Sequence, residues 1–449
     1  MYDLIIADAL LADEDGVRTG DLAVADGRIA AIGRGLGAAR EMLDAGGKLL
    51  LPGLVDVHVH FNSPGRDDWE GFAYGSAAAA VGGVTTVCDM PLNCSPTTID
   101  GASLLAKLAA IDGQSHVDYA LWGGLVDDNI ATLGEQDAPG VAGLKAFMSD
   151  SGMADFPNVG DGVLLAGMQF AAARGWPVLT HAENDAITGY LGSALRAAER
   201  RDAAAWAASR PPLAELEAVR RALLLARAAG ARLHLVHLST AAAVDDVAAA
   251  RAAGQPVSCE TCPHYLTLSD DDLAAIGADA KCAPPLRGRD ELDALWLRVL
   301  AGEVDMIASD HSPCPTAMKR RGDDDIWAAW GGIAGVQLTL ALLLDEGLHR
   351  RGMPLPLLSK LLSANPARLL GCYGRKGTLA VGVDADLVLA DTRAEWTVRA
   401  EDLRSRHTHS PYIGRRLRGR AVATWVRGRL VAREGDVVGG PGWGRLVVA

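Results

Sequence analysis

The sequence predicts an α/β fold: a (β/α)8 TIM-type barrel with a small β-sandwich domain built from both chain ends. Three observations predict it. Short apolar runs alternate with Ala- and Leu-rich helical runs through the middle of the chain, the pattern of repeated βα units and a parallel sheet. Eight such runs can be placed there, the number that closes a barrel. The two ends carry a different texture, with short strands punctuated by Gly turns. The expected boundaries are 1–50 and 371–449 for the two parts of the sandwich, and 51–370 for the barrel.

At the N-terminal end, strands are expected at 4–6, 21–24 and 28–32, separated by the turn signals Asp15-Gly16 and Asp26-Gly27. The texture returns at 377–379, 386–389 and 423–426. Neither end has apolar material enough for a core of its own, so the two are expected to pair. The eight barrel strands are expected at 54–60, 84–90, 117–123, 143–147, 178–181, 233–237, 257–261 and 305–310. Segments such as 213–229 and 241–253 between them have Ala, Leu, Arg and Glu at helical spacing.

Composition narrows the function. The chain has 449 residues, 49% apolar and 22% charged, so it can bury a large core and is not disordered. Forty-three basic against 56 acidic residues give a net charge of −13, which repels nucleic acid and anionic lipid. The basic clusters at 319–321 and 415–420 are short and lack interleaved aromatics. The first residues have no basic region of a secretory signal, and the charge-free stretch 71–88 is diluted by Gly75, Gly82, Gly83, Thr85 and Thr86. Seven cysteines in so long a chain do not suggest a disulfide framework. A cytoplasmic protein with a small-molecule substrate is expected, with no nucleic acid and no membrane as partner.

The chemistry lies at the strand ends. His58 and His60 close the first strand, and period-two alternation sends both imidazoles to one side, where they can grip one ion. Lys145, His181, His237 and Asp310 close the fourth, fifth, sixth and eighth. A single histidine at a strand end is more often packed or solvated than a ligand. Four His, one Lys and one Asp at the same end of five strands are a metal site. A lysine among ligands is explained if its amine, neutral in the apolar stretch GLKAFM, adds CO2 and becomes an anionic carbamate that bridges two ions. Two divalent ions roughly 3.5–4 Å apart can share a hydroxide and polarise a carbonyl. Asp310 can take the proton from the attacking water and pass it to a leaving nitrogen.

Other signals carry less. Cys259-Glu260-Thr261-Cys262 has zinc spacing, but no second pair follows and it lies in a predicted strand, so neither it nor His264 and Cys282 are assigned to metal. The Gly331-Gly332-Ile333-Ala334-Gly335 stretch has no preceding strand to make it a phosphate loop, and Asp323-Asp324-Asp325 is expected to be a solvated loop.

Taken together, PGLVDVHVH (52–60), GLKAFM, VLTHAEN, HLVHLS, SDHSPCP and KGTLAVGVDADLV are specific. Through them the chain resembles, nearly end to end, the cyclic amidohydrolases of the amidohydrolase superfamily, the group of allantoinase, dihydropyrimidinase or hydantoinase, and dihydroorotase. Within that group Pro64-Gly65-Arg66, Trp69-Glu70-Gly71-Phe72, Met90-Pro91-Leu92-Asn93, CETCPHY and WGGIAG look most like the allantoinase branch. The resemblance implies hydrolysis of the hydantoin ring amide of (S)-allantoin to allantoate, in purine degradation, by a hydroxide bridging two metal ions. It implies zinc, with cobalt or manganese as alternatives, an N6-carboxylated Lys145, and a homotetramer or dimer. The alternative within the group is a hydantoinase or dihydropyrimidinase of broader cyclic-amide specificity.

Departures refine this. Where dihydroorotases place an arginine for a substrate carboxylate, this chain has Asn62, which favours a neutral ring. The tyrosine that dihydropyrimidinases carry after the lysine is absent from 147–152. Ser63 stands where allantoinases have a glutamate. Asn62 and Asn93 are candidate hydrogen-bond partners for a ureido group, and Ser312 and the backbone at Ala283 for the ring. The segment 314–330, charged and next to Asp310, is a candidate lid.

Overall fold

The computed structural model describes residues 1–448. Its centre is an eight-stranded parallel sheet in unbroken chain order: Leu54–Val59, Val84–Asp89, Asp118–Gly124, Val141–Phe147, Pro177–His181, Arg232–Leu235, Val257–Thr261 and Met306–Ile307. The last strand meets the first through a bridge between Val59 and His311, where the His60 N–H donates to the His311 carbonyl at 2.8 Å. The ring is thereby nearly closed. Helices cover its outer face, so the first three strands are buried at every position, polar residues such as Asp56, His58 and Thr86 included.

The expected helices form at Pro212–Ala229 and Ala241–Ala252. The first opens on Pro212, whose missing N–H costs nothing in a first turn, and stops at Gly230, whose φ of 66° is open to glycine without strain. Inside the barrel Val57, Cys88, Trp122, Leu179, Val236 and Met306 form one apolar plug, and the Trp122 indole donates to the Val57 carbonyl at 2.8 Å. The floor is sealed by Leu369, Leu370 and Val447. Side chains from the strands' opposite ends are thus left to face a cleft.

The two chain ends form one nine-stranded sheet. Tyr2–Asp13, Gly16–Ala25, Arg28–Gly33, Ala39–Asp44 and Leu49–Pro52 come from the start, and Leu387–Thr397, Arg416–Val426, Arg429–Arg433 and Asp436–Val437 from the end. The join is antiparallel, with Leu50 opposite Leu389 and Leu51 opposite Val388. The sheet folds over Leu4, Ile6, Leu22, Leu387, Val422 and Trp425. Its far edge returns to the C-terminal half through Ile29 N–H to Val383 O and Ala385 N–H to Gly27 O, both 2.9 Å.

Residues 377–379 do not form the expected strand. Gly377 sits at φ 85°, where an added Cβ would lie 2.8 Å from the Ser363 carbonyl, and the segment bends there. Only Leu379 still reaches the sheet's core. Just before the bend, the buried Lys376 ammonium joins Asp118 of the third barrel strand (2.7 Å) to Asp386 (2.5 Å), and Arg427 also pairs with Asp118. This cluster ties sheet to barrel.

Two barrel strands end two or more residues earlier than expected, at Leu235 and Ile307, and the first two end one residue early, at Val59 and Asp89. His237 and Asp310 adopt left-handed backbone, with φ 39° and 44°, which takes each residue out of the ladder. Among the described residues no helix is long and apolar enough to cross a membrane. All seven cysteines are unpaired and buried.

Candidate metal centre

The six strand-end residues converge at one mouth of the barrel. His58 Nε2 and His60 Nε2 lie 3.2 and 3.3 Å from Asp310 Oδ1, and donor atoms of the three lie within 4.8 Å of one another. Beside them His181 Nδ1 stands 3.0 Å from His237 Nε2, and the His58 and His237 ring centroids are 5.3 Å apart. Burial pushes the imidazoles of His60, His181 and His237 below their ordinary range, so each offers a neutral lone pair at pH 7. Asp310 is also buried, which raises a carboxyl pKa, but His58 and His60 hold it well below the usual range. The trio offers a carboxylate and two imidazole nitrogens, a donor set suited to a divalent ion.

Lys145 belongs to the same group. Its side chain is fully buried, its Nζ has no hydrogen-bond partner, and it lies 5.0 Å from the centroid of the Phe147 ring. Burial lowers its pKa to about 8, which makes the neutral amine accessible near physiological pH. A buried, unpartnered amine is costly unless a group from outside the chain completes it. The orphaned Nδ1 of His237 is a second such atom.

An outer layer, missed from sequence, fixes the rings. Glu260 Oε1 lies 2.5 Å from His58 Nδ1 while its Oε2 lies 3.1 Å from His234 Nε2. Burial alone would raise the Glu260 pKa, but His58 and His234 bring it to about 2. With the carboxylate ionised, the proton of His58 sits on Nδ1 and Nε2 is free to bind. Glu183 does the same for His181, 2.7 Å from its Nε2, and is itself paired with Arg210. Glu215 accepts the backbone N–H of Ser239 (3.2 Å) and Thr240 (3.0 Å) and both their hydroxyls, pinning the turn after His237.

The centre opens into a cleft of about 310 Å³ whose lining includes Asn93, Ala283, Ser312, Trp206, Trp330 and Lys281. Asn93 also faces His60 Nδ1 at 3.2 Å. Asn62 is not part of that lining: it is 1% exposed, its amide donates to the Pro313 carbonyl at 3.4 Å, and its Oδ1 has no partner. Ser63 donates to Asp67 at 2.5 Å and accepts the Phe72 N–H, so it fastens the loop to the first turn of the helix Phe72–Val81. Gly332 lies against Ser312, where a Cβ would come within 2.5 Å of its carbonyl; the glycine stretch serves close packing of the cleft wall. Of the three acids at 323–325, Asp325 pairs with Arg201 at 2.6 Å.

The amidohydrolase family profile matches residues 49–431, most of the chain. The chain belongs to the amidohydrolase family. Three relatives of this amidohydrolase are named allantoinase: one from Rubrobacter xylanophilus, 52% identical over 99% of this chain and 97% of its own length; one from Solibacter usitatus, 46% identical over 97% and 95%; and one from Escherichia coli, 43% identical over 96% and 95%. Among solved structures, the L-hydantoinase (dihydropyrimidinase) of Arthrobacter aurescens superposes on the amidohydrolase with a TM-score of 0.97 at 37% identity, covering 100% of both chains. A dihydropyrimidinase from Brevibacillus agri gives 0.92 at 31%, over 100% and 98%.

Proposed function

We infer that this amidohydrolase is an allantoinase, which opens the hydantoin ring of allantoin by hydrolysing a ring amide to give allantoate. The reading rests on full-length similarity to proteins of that name, and the observation that carries it is the fully buried, unpartnered Lys145 amine beside Phe147, in the wall of the cleft that His58, His60, His181, His237 and Asp310 line.

The donor set suits divalent ions: His58, His60 and Asp310 would hold one and His181 with His237 a second, with Lys145, as its carbamate, supplying a further anionic donor. Zinc suits these nitrogen and oxygen donors, with cobalt and manganese as alternatives. Such ions supply Lewis acidity, polarising the ring carbonyl and making water nucleophilic near neutral pH. Asp310, anionic at pH 7, takes a proton from the attacking water at its carboxylate and returns it to the departing ring nitrogen, without which an amide nitrogen is a poor leaving group. Glu260 and Glu183 keep the protons of His58 and His181 on the outer ring nitrogens. Asn93, Ser312 and the Ala283 backbone orient the neutral ring and its ureido arm from the cleft wall; Asn62 braces the loop of Ser312 through the Pro313 carbonyl.

The test is turnover of allantoin to allantoate by protein loaded with zinc, cobalt or manganese. A loaded protein without turnover defeats the reading. The close superposition on hydantoinases favours one second reading, a broader cyclic amidase. Allantoin, hydantoin and dihydrouracil assayed side by side separate the two.

A further inference from the structure

Lys281 is a cation in the cleft wall that the chemistry above does not use. Its ammonium sits 4.1 Å from the centroid of the Trp206 ring and donates to a single protein acceptor among the described residues, the Ala329 carbonyl at 2.7 Å. It forms no ion pair with a carboxylate among those residues, and two of its three N–H donors have no protein acceptor. Other charged groups near it are mostly of its own sign. Lys319 is spent on the carbonyls of Ala278, Trp330 and Gly332, and Arg210 on Glu183. Arg196, also on the cleft, stacks 4.6 Å from the Trp327 ring centroid and pairs with no acid among the described residues. Of the acids, Asp325 is taken by Arg201, while Asp150 and Asp310 line the same cleft without pairing with Lys281.

A nearly buried ammonium, 3% exposed, is expensive without a counter-ion. The substrate ring is neutral and cannot supply one. The reaction can: the ring C–N bond breaks, a water oxygen joins the carbonyl carbon, one proton goes to the nitrogen and the other to solvent, leaving a carboxylate on an open-chain ureido acid. We propose that Lys281, with Arg196 at the rim, forms an anion site in the cleft wall that binds the carboxylate of N-carbamoyl amino acids, the class of the open-ring product. This rests on the hydrolytic reading above. The site makes the cleft prefer the opened over the closed ring.

Titration sharpens the test. Burial, helped by Lys319, Arg210 and Arg196, lowers the Lys281 pKa to about 7, with Asp325 opposing. The ammonium, and with it the affinity for a carboxylate, is therefore present at pH 6 and fades by pH 8.5.

The probes are N-carbamoylglycine and its neutral amide, N-carbamoylglycinamide, tested as inhibitors of the metal-loaded enzyme and titrated calorimetrically. We expect Lys281→Met to weaken the acid by about tenfold or more, the scale of a charged hydrogen bond, while the amide changes little and Lys281→Arg restores the acid. Wild-type affinity for the acid should fall between pH 6 and 8.5, and the fall should flatten in Lys281→Met. If acid and amide weaken together, Lys281 only braces Ala329 and the site does not exist; an unchanged acid-to-amide ratio overturns the proposal equally, since the carboxylate is then held elsewhere. Because calorimetry needs no turnover, failure of the wild type to hydrolyse allantoin tells against the hydrolytic reading, separately from this one.

Discussion

Glu260→Gln isolates what the outer layer contributes. In the structure one carboxylate serves two buried rings, with Oε1 at His58 Nδ1 and Oε2 at His234 Nε2. Both rings present N–H to it when His58 gives Nε2 to an ion. Glutamine fills the same volume but offers one carbonyl, so its NH2 must face one ring N–H, or force that ring into the other tautomer. If His58 is the ring that loses, its proton moves to Nε2 and its lone pair points away from the ion. Partners of this kind are worth about 10–100-fold in metal affinity or activity, which is about 1.4–2.8 kcal/mol. The sharing of one acid by two donors places the expectation near the upper end. The assay is metal competition against a graded chelator, with turnover measured at saturating metal. Glu260→Gln should lose metal at about 100-fold weaker chelation, and added metal should restore much of the rate. Wild-type occupancy and rate in the same buffers would refute the claim that Glu260 sets the His58 tautomer.

Lys145→Ala should remove both metal loading and activity, and short carboxylic acids should restore part of each by replacing the missing anion; undiminished metal content removes its bridging role. Prolonged chelation of the wild type should abolish turnover reversibly, which readdition of zinc, cobalt or manganese checks. Lys376→Met leaves Asp386 in the barrel–sheet joint without its cation and Asp118 with Arg427 alone, and urea unfolding should show a loss of about 3–5 kcal/mol. The Lys376 pKa is raised in the fold by those two acids, against the cost of burial, so its contribution holds below the unfolded value of about 10.4 and declines only above it. Lys319→Met leaves the carbonyls of Ala278, Trp330 and Gly332 without their donor, and hydrogen exchange should accelerate across 316–332. Unchanged protection there would show the segment is held by Asp325 and Trp327 instead.

The barrel was legible because βα repetition is written in short apolar runs, and the ligand candidates because they stand where such runs end. The outer layer was not picked out, although signals existed. Glu183 follows His181 by two residues, the same alternation that linked His58 to His60. Glu260 is an acid inside a buried strand, where it must have a partner. Lys281 in Ala280-Lys281-Cys282-Ala283 sits in the kind of apolar context that drew attention to Lys145. By contrast, nothing local announces the left-handed backbone of His237 and Asp310. No glycine marks those turns, and the strain is sustained by surrounding contacts such as the grip of Glu215 on Ser239 and Thr240. The candidate lid likewise reads as mobile by composition, while the buried Lys319 pins it through long-range bonds that composition does not reveal.

The pairing of Leu49–Pro52 with residues 387–390 bears on how the polypeptide is made. Only Gly53 separates that short segment from Leu54–Val59, which carries His58, and the Gly53 N–H donates to the Asp386 carbonyl at 2.7 Å. On the ribosome, the segment leading into the first histidines emerges early, yet its neighbour is translated more than three hundred residues later. Until then its edge must wait unpaired, exposed to chaperones or to other nascent chains. Premature termination anywhere before residue 390 would therefore unmoor the beginning of the catalytic barrel as surely as it removed the end.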